Sequence, residues 1–207
     1  MRHHIIITGT GRAGTTFLVR LFTYLGFDTG FTKKSAIDPV AHAGLETVIE
    51  DWNAPYIVKQ PQLCERLDTI MERGDILIDH AIIPRRDLFA AAESRRVNAR
   101  QNPKVTPSEV IGGTFGTDSL AVGDQEAALQ RLEKKLWDAI STYQIPYTEL
   151  WFPDDFQDAE RLFQKLGPVF DCVAEEQGIR VTPAKFLATH SELWNPKLVH
   201  KYQPPAS

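Results

Sequence analysis

The chain of 207 residues has a formal net charge of -4, with 43% hydrophobic and 24% charged residues, the composition of one globular domain with a buried core. The acidic balance argues against a nucleic-acid binder, which presents a broad basic surface, and no apolar run reaches the roughly 18 residues that a membrane helix needs. Cys64 and Cys172 lie far apart without metal-ligand spacing, and the N-terminal apolar run is too short for a signal peptide, which together predict a reduced, cytoplasmic setting.

In chain order, Ile5 to Thr8 reads as a short buried strand and Gly9 to Gly14 as a tight loop. Thr15 to Leu25 then reads as a helix, with Phe17, Leu18, Leu21, Phe22 and Leu25 at helical spacing and Gly26 where a C-terminal cap belongs. A strand is expected over Tyr56 to Val58 and a helix over Cys64 to Met71. Ile76 to Ile83, interrupted by Asp79 and His80, has the continuous apolar character of a strand buried on both faces. The alanine-rich stretch Arg86 to Arg96 is its following helix, and the polar stretch 97–123 is expected to be a flexible loop or lid. Glu126 to Tyr143 reads as a helix, Ile145 to Leu150 as a strand, Ala159 to Leu166 as a helix, and the remainder as helical or irregular. Strands alternating with helices predict one α/β domain over 1–207, a three-layer fold of P-loop type with a central parallel sheet flanked by helices.

The string Gly9-Thr-Gly-Arg-Ala-Gly14-Thr-Thr16 sits where a strand turns into a helix. Backbone N–H groups converge there and the helix dipole adds positive potential, so an anion is the expected ligand. As Gly-x-Gly-x-x-Gly the string fits a dinucleotide turn, but Phe27 to Ala36 offers no apolar strand ending in an acidic residue. As Gly-x-x-x-x-Gly it fits a phosphate loop in which Thr15 replaces the usual lysine, and the positive charge sits upstream on Arg12. A donor with fewer charges on its 5′ side than a triphosphate suits that arrangement.

Thr8 to Thr16, followed by Phe17 and Leu18, resembles the 5′-phosphosulfate loop of sulfotransferases that use 3′-phosphoadenosine 5′-phosphosulfate (PAPS). The resemblance implies that Gly9, Gly11, Arg12, Ala13, Gly14, Thr15 and Thr16 hold the donor, with Arg12, Thr15 and Thr16 on its 5′-phosphosulfate and Arg12 among the catalytic residues. It also implies that Arg86 and Ser94, eight residues apart, hold its 3′-phosphate, a pairing that suits a dianion. Pro84 and Arg85 depart from the family pattern, and Arg85 is the alternative to Arg86. Lys59-Gln-Pro61 is similar to the family's Lys-x-Pro element and implies charge stabilisation by Lys59. Ala43 to Glu46 resembles the family's Gly-aromatic-Glu segment and implies that Glu46 is the base, with Asp38, His42, Glu50 and Asp51 as competitors. Tyr147 to Leu150 resembles the family's C-terminal Tyr-Glu-Asp-Leu strand, while its Arg-Lys-Gly nucleotide loop is missing.

The implied activity moves a sulfuryl group from PAPS to an acceptor hydroxyl, with adenosine 3′,5′-bisphosphate as product and no metal required. A glycan, lipid, phenol or peptide hydroxyl remains open as acceptor. Two other functions stay open. One is an ATP-dependent kinase-like protein in which Thr16 and Asp79 hold magnesium. The other is a non-catalytic nucleotide-binding module, which tolerates substitution of Glu46 and Lys59.

Overall fold

The computed structural model describes residues 1–37, 44–101, 119–200 and 202. Among these residues four strands form one sheet: β1 (Arg2–Ile7), β2 (Ile57–Lys59), β3 (Ile76–Arg85) and β4 (Tyr147–Trp151). Their order is β2-β1-β3-β4, and every pair is parallel. The helices are α1 (Thr15–Leu25), α2 (Leu63–Glu72), α3 (Leu88–Gln101), α4 (Asp124–Thr142), α5 (Asp154–Gln157), α6 (Ala159–Lys165), α7 (Gly167–Gln177) and α8 (Pro183–Leu193), with a 3-10 turn at Pro196–Leu198. The fold is therefore α/β with a parallel sheet between helical layers, as the alternation of elements predicts.

Side-chain alternation along β1 assigns the two layers. Ile5 and Ile7 pack with Leu18, Phe22, Phe156 and Val169 on the face covered by α1 and the C-terminal helices. Ile6 packs with Leu67, Ile70, Leu136 and Ile140 on the face covered by α2 and α4. In β3, Ile76 and Ile78 share that second face with Ala81 and Ile83, so the parity changes within the strand. The β1–β3 register shifts between His4 and Ile5, and Asp79 is the extra residue of a bulge. The inserted residue lets both halves of the strand keep their isoleucines in the core.

The observed elements refine the sequence reading at two places. Helix α3 continues to Gln101, so residues 97–101 belong to a helix rather than to the expected loop. The rest of that stretch, 102–118, lies outside the described residues. Strand β3 runs on through Pro84, which a strand interior disfavours. Pro84 lies past the last β1 pair, Ile7–Ile82, so its missing N–H removes no ladder bond to β1.

The strand order sets the location of the site. The connection after β1 leads to β2 on one side, and β3 with β4 lies on the other. Ligands of open α/β sheets bind at the carboxyl ends of the strands where the order switches, here between β1 and β3. The loop Gly9 to Thr16 follows β1, and Arg86 follows β3.

Candidate functional site

The loop after β1 closes tightly because its backbone adopts left-handed geometry at several points. Gly14 is the N-cap of α1 with φ +83, and a Cβ there would lie 2.7 Å from Cε1 of Phe156. No larger residue fits that turn. Arg12, with φ +59, holds the same conformation without a glycine's freedom. A non-glycine residue in this region carries strain that its surroundings must hold in place.

Those surroundings come from α3 and from the end of β3. Nε of Arg12 donates to Oγ of Ser94 at 3.1 Å. With its amide turned to satisfy both groups, Asn98 accepts from Nη2 and Nη1 of Arg12 at 2.9 and 3.2 Å. Nη1 of Arg86 donates to the Arg12 carbonyl at 3.1 Å, and Nη2 donates to the His200 carbonyl. The rings of Phe152 and Tyr202 lie 5.2 and 5.6 Å from the Arg86 guanidinium. Burial pushes the Arg86 pKa below its ordinary value.

Arg95, to which the sequence reading gives no role, is part of the loop's support. It is buried, and its Nη2 donates to the Thr10 carbonyl. A Cβ on Gly11 would lie 3.2 Å from that nitrogen, so the glycine permits the guanidinium's close approach. Burial, joined by the like charge of Arg12, pushes the Arg95 pKa down to about 10. Asn98 was also missed. The only signal for either residue was its spacing from Ser94, one and four positions on along the same helix.

On the other flank of the loop, β2 carries Lys59, which is buried. Its Nζ donates to Oγ1 of Thr16 at 3.2 Å, to the Gly44 carbonyl at 2.6 Å and to Oε1 of Glu46 at 3.2 Å. Burial lowers its pKa, and the Glu46 carboxylate partly opposes that shift. Oε2 of Glu46 accepts from Nε2 of Gln62 at 3.4 Å, and the glutamate side chain is 41% exposed. Among the described residues, the helix end beside Lys59 has no side-chain cap and no acidic residue in its first turn. Uncapped N–H groups next to a buried ammonium form a donor set for an anion, so the residues present fit a phosphate or phosphosulfate group.

The expected site residues thus gather in two clusters around one loop. Thr16, Lys59 and Glu46 meet on the β2 flank, while Arg12, Arg86 and Ser94 meet on the α3 flank. Gly9, Gly11, Ala13, Gly14 and Thr15 form the turn between them. Arg85 stands apart: it pairs with Glu149 at 2.5 Å and Glu133 at 3.4 Å and stacks on Trp151 at 4.7 Å. Arg86, not Arg85, therefore faces the loop.

Among the competitors of Glu46, Glu50 pairs with Arg66, while Asp38 and His42 lie outside the described residues. Asp79 sits at the bulge in the first half of β3. It binds the Tyr56 hydroxyl and Nδ1 of His3, each at 2.9 Å, and does not face Thr16. The magnesium-holding pair of the kinase-like alternative is not assembled.

Compared with family models, curated proteins and solved structures, the chain finds no match. No helix among the described residues is long and apolar enough to cross a membrane.

Proposed function

We propose that the chain is a PAPS-dependent sulfotransferase that moves a sulfuryl group to an acceptor hydroxyl. The observation that carries this reading is the meeting of Lys59 with Thr16 and Glu46, both at 3.2 Å. The lysine missing from position 15 of the loop has a spatial replacement on the neighbouring strand. A buried cation beside a half-exposed carboxylate provides the two groups that such a transfer requires.

The donor, when bound, supplies a sulfuryl group whose bond to the 5′-phosphate oxygen breaks as its bond to the acceptor oxygen forms. Glu46 accepts the proton that the acceptor hydroxyl loses. Lys59 and the N–H groups at Thr15 and Thr16 balance the charge that grows on the departing phosphate oxygen. Arg86 and Ser94, joined by the Arg12 guanidinium, hold the 3′-phosphate on the other flank. Two cationic clusters about one loop suit a ligand with anions at two positions better than one with a single triphosphate chain. The buried or half-buried free thiols of Cys64 and Cys172 are in keeping with work in a reducing, cytoplasmic compartment.

Thermal unfolding with nucleotides tests the reading. Adenosine 3′,5′-bisphosphate at about a hundred times its Kd is expected to stabilise the fold by about 2.7 kcal/mol. Magnesium-ATP at the same concentration is expected to stabilise it far less. Equal or greater stabilisation by magnesium-ATP overturns the proposal in favour of phosphoryl transfer.

A further inference from the structure

The segment leading from Glu46 into β2 is irregular in backbone but anchored from within. Leu45 and Ile49 are buried, and the Ile49 N–H donates to Oε1 of Gln60 at 3.0 Å. Between and beyond these anchors, Glu46, Val48, Asp51, Trp52 and Asn53 turn outward and line a groove of about 500 Å³. That volume is in the range of small-ligand sites, about 300–1,000 Å³.

Trp52 is 83% exposed, more than any other large hydrophobic side chain described. Its indole is nonetheless supported. The Arg2 guanidinium lies 5.8 Å from the ring and is itself fixed by the Ile49 carbonyl at 3.1 Å, the Asp51 carbonyl at 2.8 Å and Asp75 at 2.8 Å. An exposed indole fixed beside polar groups offers a flat apolar face on which a ligand ring can stack. The lining includes Glu46, whose carboxylate reaches Thr16 of the loop through Lys59.

We infer that this groove is the acceptor site and that it takes a polyhydroxylated ring carrying no negative charge, a neutral or amino-bearing saccharide. One hydroxyl faces Glu46 and the apolar face of a ring lies on Trp52. The inference rests on the sulfuryl-transfer reading for its choice of the hydroxyl that reacts. The chemistry of the lining sets the class. Glu46, Thr47, Asp51 and Asn53 offer hydrogen-bonding partners around a single indole, whereas a lipid chain needs continuous apolar walls. Two carboxylates face the groove, and the nearby cations Lys59 and Arg2 are already committed to three acceptors each. Glu46 is paired with Lys59, whereas the Asp51 carboxylate has no ion-pair partner among the described residues, so an anionic ligand would meet repulsion there.

The test uses three disaccharides on one β-1,4-linked frame: cellobiose, its diamino analogue chitobiose, and cellobiuronic acid. Binding is measured by calorimetry, with and without saturating adenosine 3′,5′-bisphosphate, on the wild type, Trp52→Ala and Asp51→Asn. Cellobiose and chitobiose are expected to bind the wild type, with cellobiuronic acid weaker by about tenfold or more. Trp52→Ala, at an exposed site outside the core, is expected to weaken both by about tenfold and leave bisphosphate binding unchanged. Asp51→Asn is expected to weaken chitobiose more than cellobiose. A uronate that binds as well as cellobiose, or unchanged disaccharide affinity in Trp52→Ala, overturns the assignment. If the bisphosphate binds and no disaccharide does, the groove assignment alone falls. If the bisphosphate itself fails to bind, the sulfuryl-transfer reading falls, and the disaccharide titrations without nucleotide still decide the groove.

Discussion

Lys59 brings opposing electrostatic effects together in one side chain. Burial disfavours its charge, while Glu46 at 3.2 Å and two further oxygen acceptors favour it. A bound anion at the loop adds to the favourable side, so Lys59 serves ligand charge as well as its own carboxylate partner. Glu46, by contrast, is half-exposed and open to the groove, where an acceptor hydroxyl can approach. Glu46→Gln keeps the size and polarity of the side chain but removes the proton acceptor. Its turnover is expected to fall by about 10²–10⁴-fold with bisphosphate affinity nearly unchanged. Near-normal turnover in that variant would take Glu46 out of the mechanism and leave the chain a nucleotide-binding module with another base or none.

At the scale of elements, two devices hold the sheet and the loop at its edge in place. One is the helix α3, tied to α4 by Arg96, whose side chain is fully buried and pairs with Glu93 at 2.6 Å and Glu126 at 2.8 Å. The same helix carries Ser94, Arg95 and Asn98 to the loop, so its seating fixes the arginine cluster. Arg96→Ala leaves Glu126 without its partner and is expected to cost about 3–5 kcal/mol in denaturant unfolding. A cost under about 1 kcal/mol would show that the pair behaves like a surface ion pair. The other device is a pair of buried histidines that tie β1 to the residues before β2 and β3 to β4. His4 bonds the Pro55 carbonyl at 2.8 Å, and His80 bonds the Thr148 hydroxyl at 2.8 Å. Burial lowers both pKa values below the usual 6.5. Above pH 6.5 neither state of the protein holds these protons. As pH falls from 6.5 toward the lowered native values, the unfolded chain binds protons that the native fold rejects, and stability drops. The loss is at most about 1.4 kcal/mol per pH unit for each histidine. Replacing His80 with Gln keeps a polar partner for Thr148 and is expected to flatten the acid limb of a stability–pH profile, which urea titrations from pH 7 to 5 measure directly.

At the scale of the whole molecule, the alternation of strands and helices was legible because hydrophobic period and glycine position are local properties. The loop from Gly9 to Thr16 was legible for the same reason. Lys59 and Glu46 could be named from short strings, but their meeting with Thr16 depends on β2 pairing with β1, which no string records. Arg12 shows the limit most clearly. The sequence directs its charge at the 5′ end of a donor, yet its guanidinium lies against Ser94 and Asn98, because the packing of α3 decides where a flexible side chain finds acceptors. Asp79 could be named from the sequence, but its place at a bulge rests on the β1–β3 register, which alternation alone does not reveal.

The same architecture leads to a prediction about the two ends of the ligand. Lys59 ends β2 and Arg86 follows β3, on opposite sides of β1, and each reaches the loop from its own flank. Adenosine 3′,5′-bisphosphate engages both flanks, whereas 5′-AMP offers nothing to the 3′-phosphate cluster. Arg86→Ala is therefore expected to weaken the bisphosphate by about 2–5 kcal/mol, the usual cost of truncating one partner of a buried charged contact, and to change 5′-AMP affinity little. Lys59→Met is expected to weaken both nucleotides, because both carry the 5′-phosphate. Titrating the two variants with the two nucleotides by calorimetry closes a cycle in which only the combination of Arg86 and the 3′-phosphate shows coupling. Equal losses for both nucleotides in Arg86→Ala would instead make Arg86 a brace of the Arg12 carbonyl, which holds the loop whatever ligand it binds.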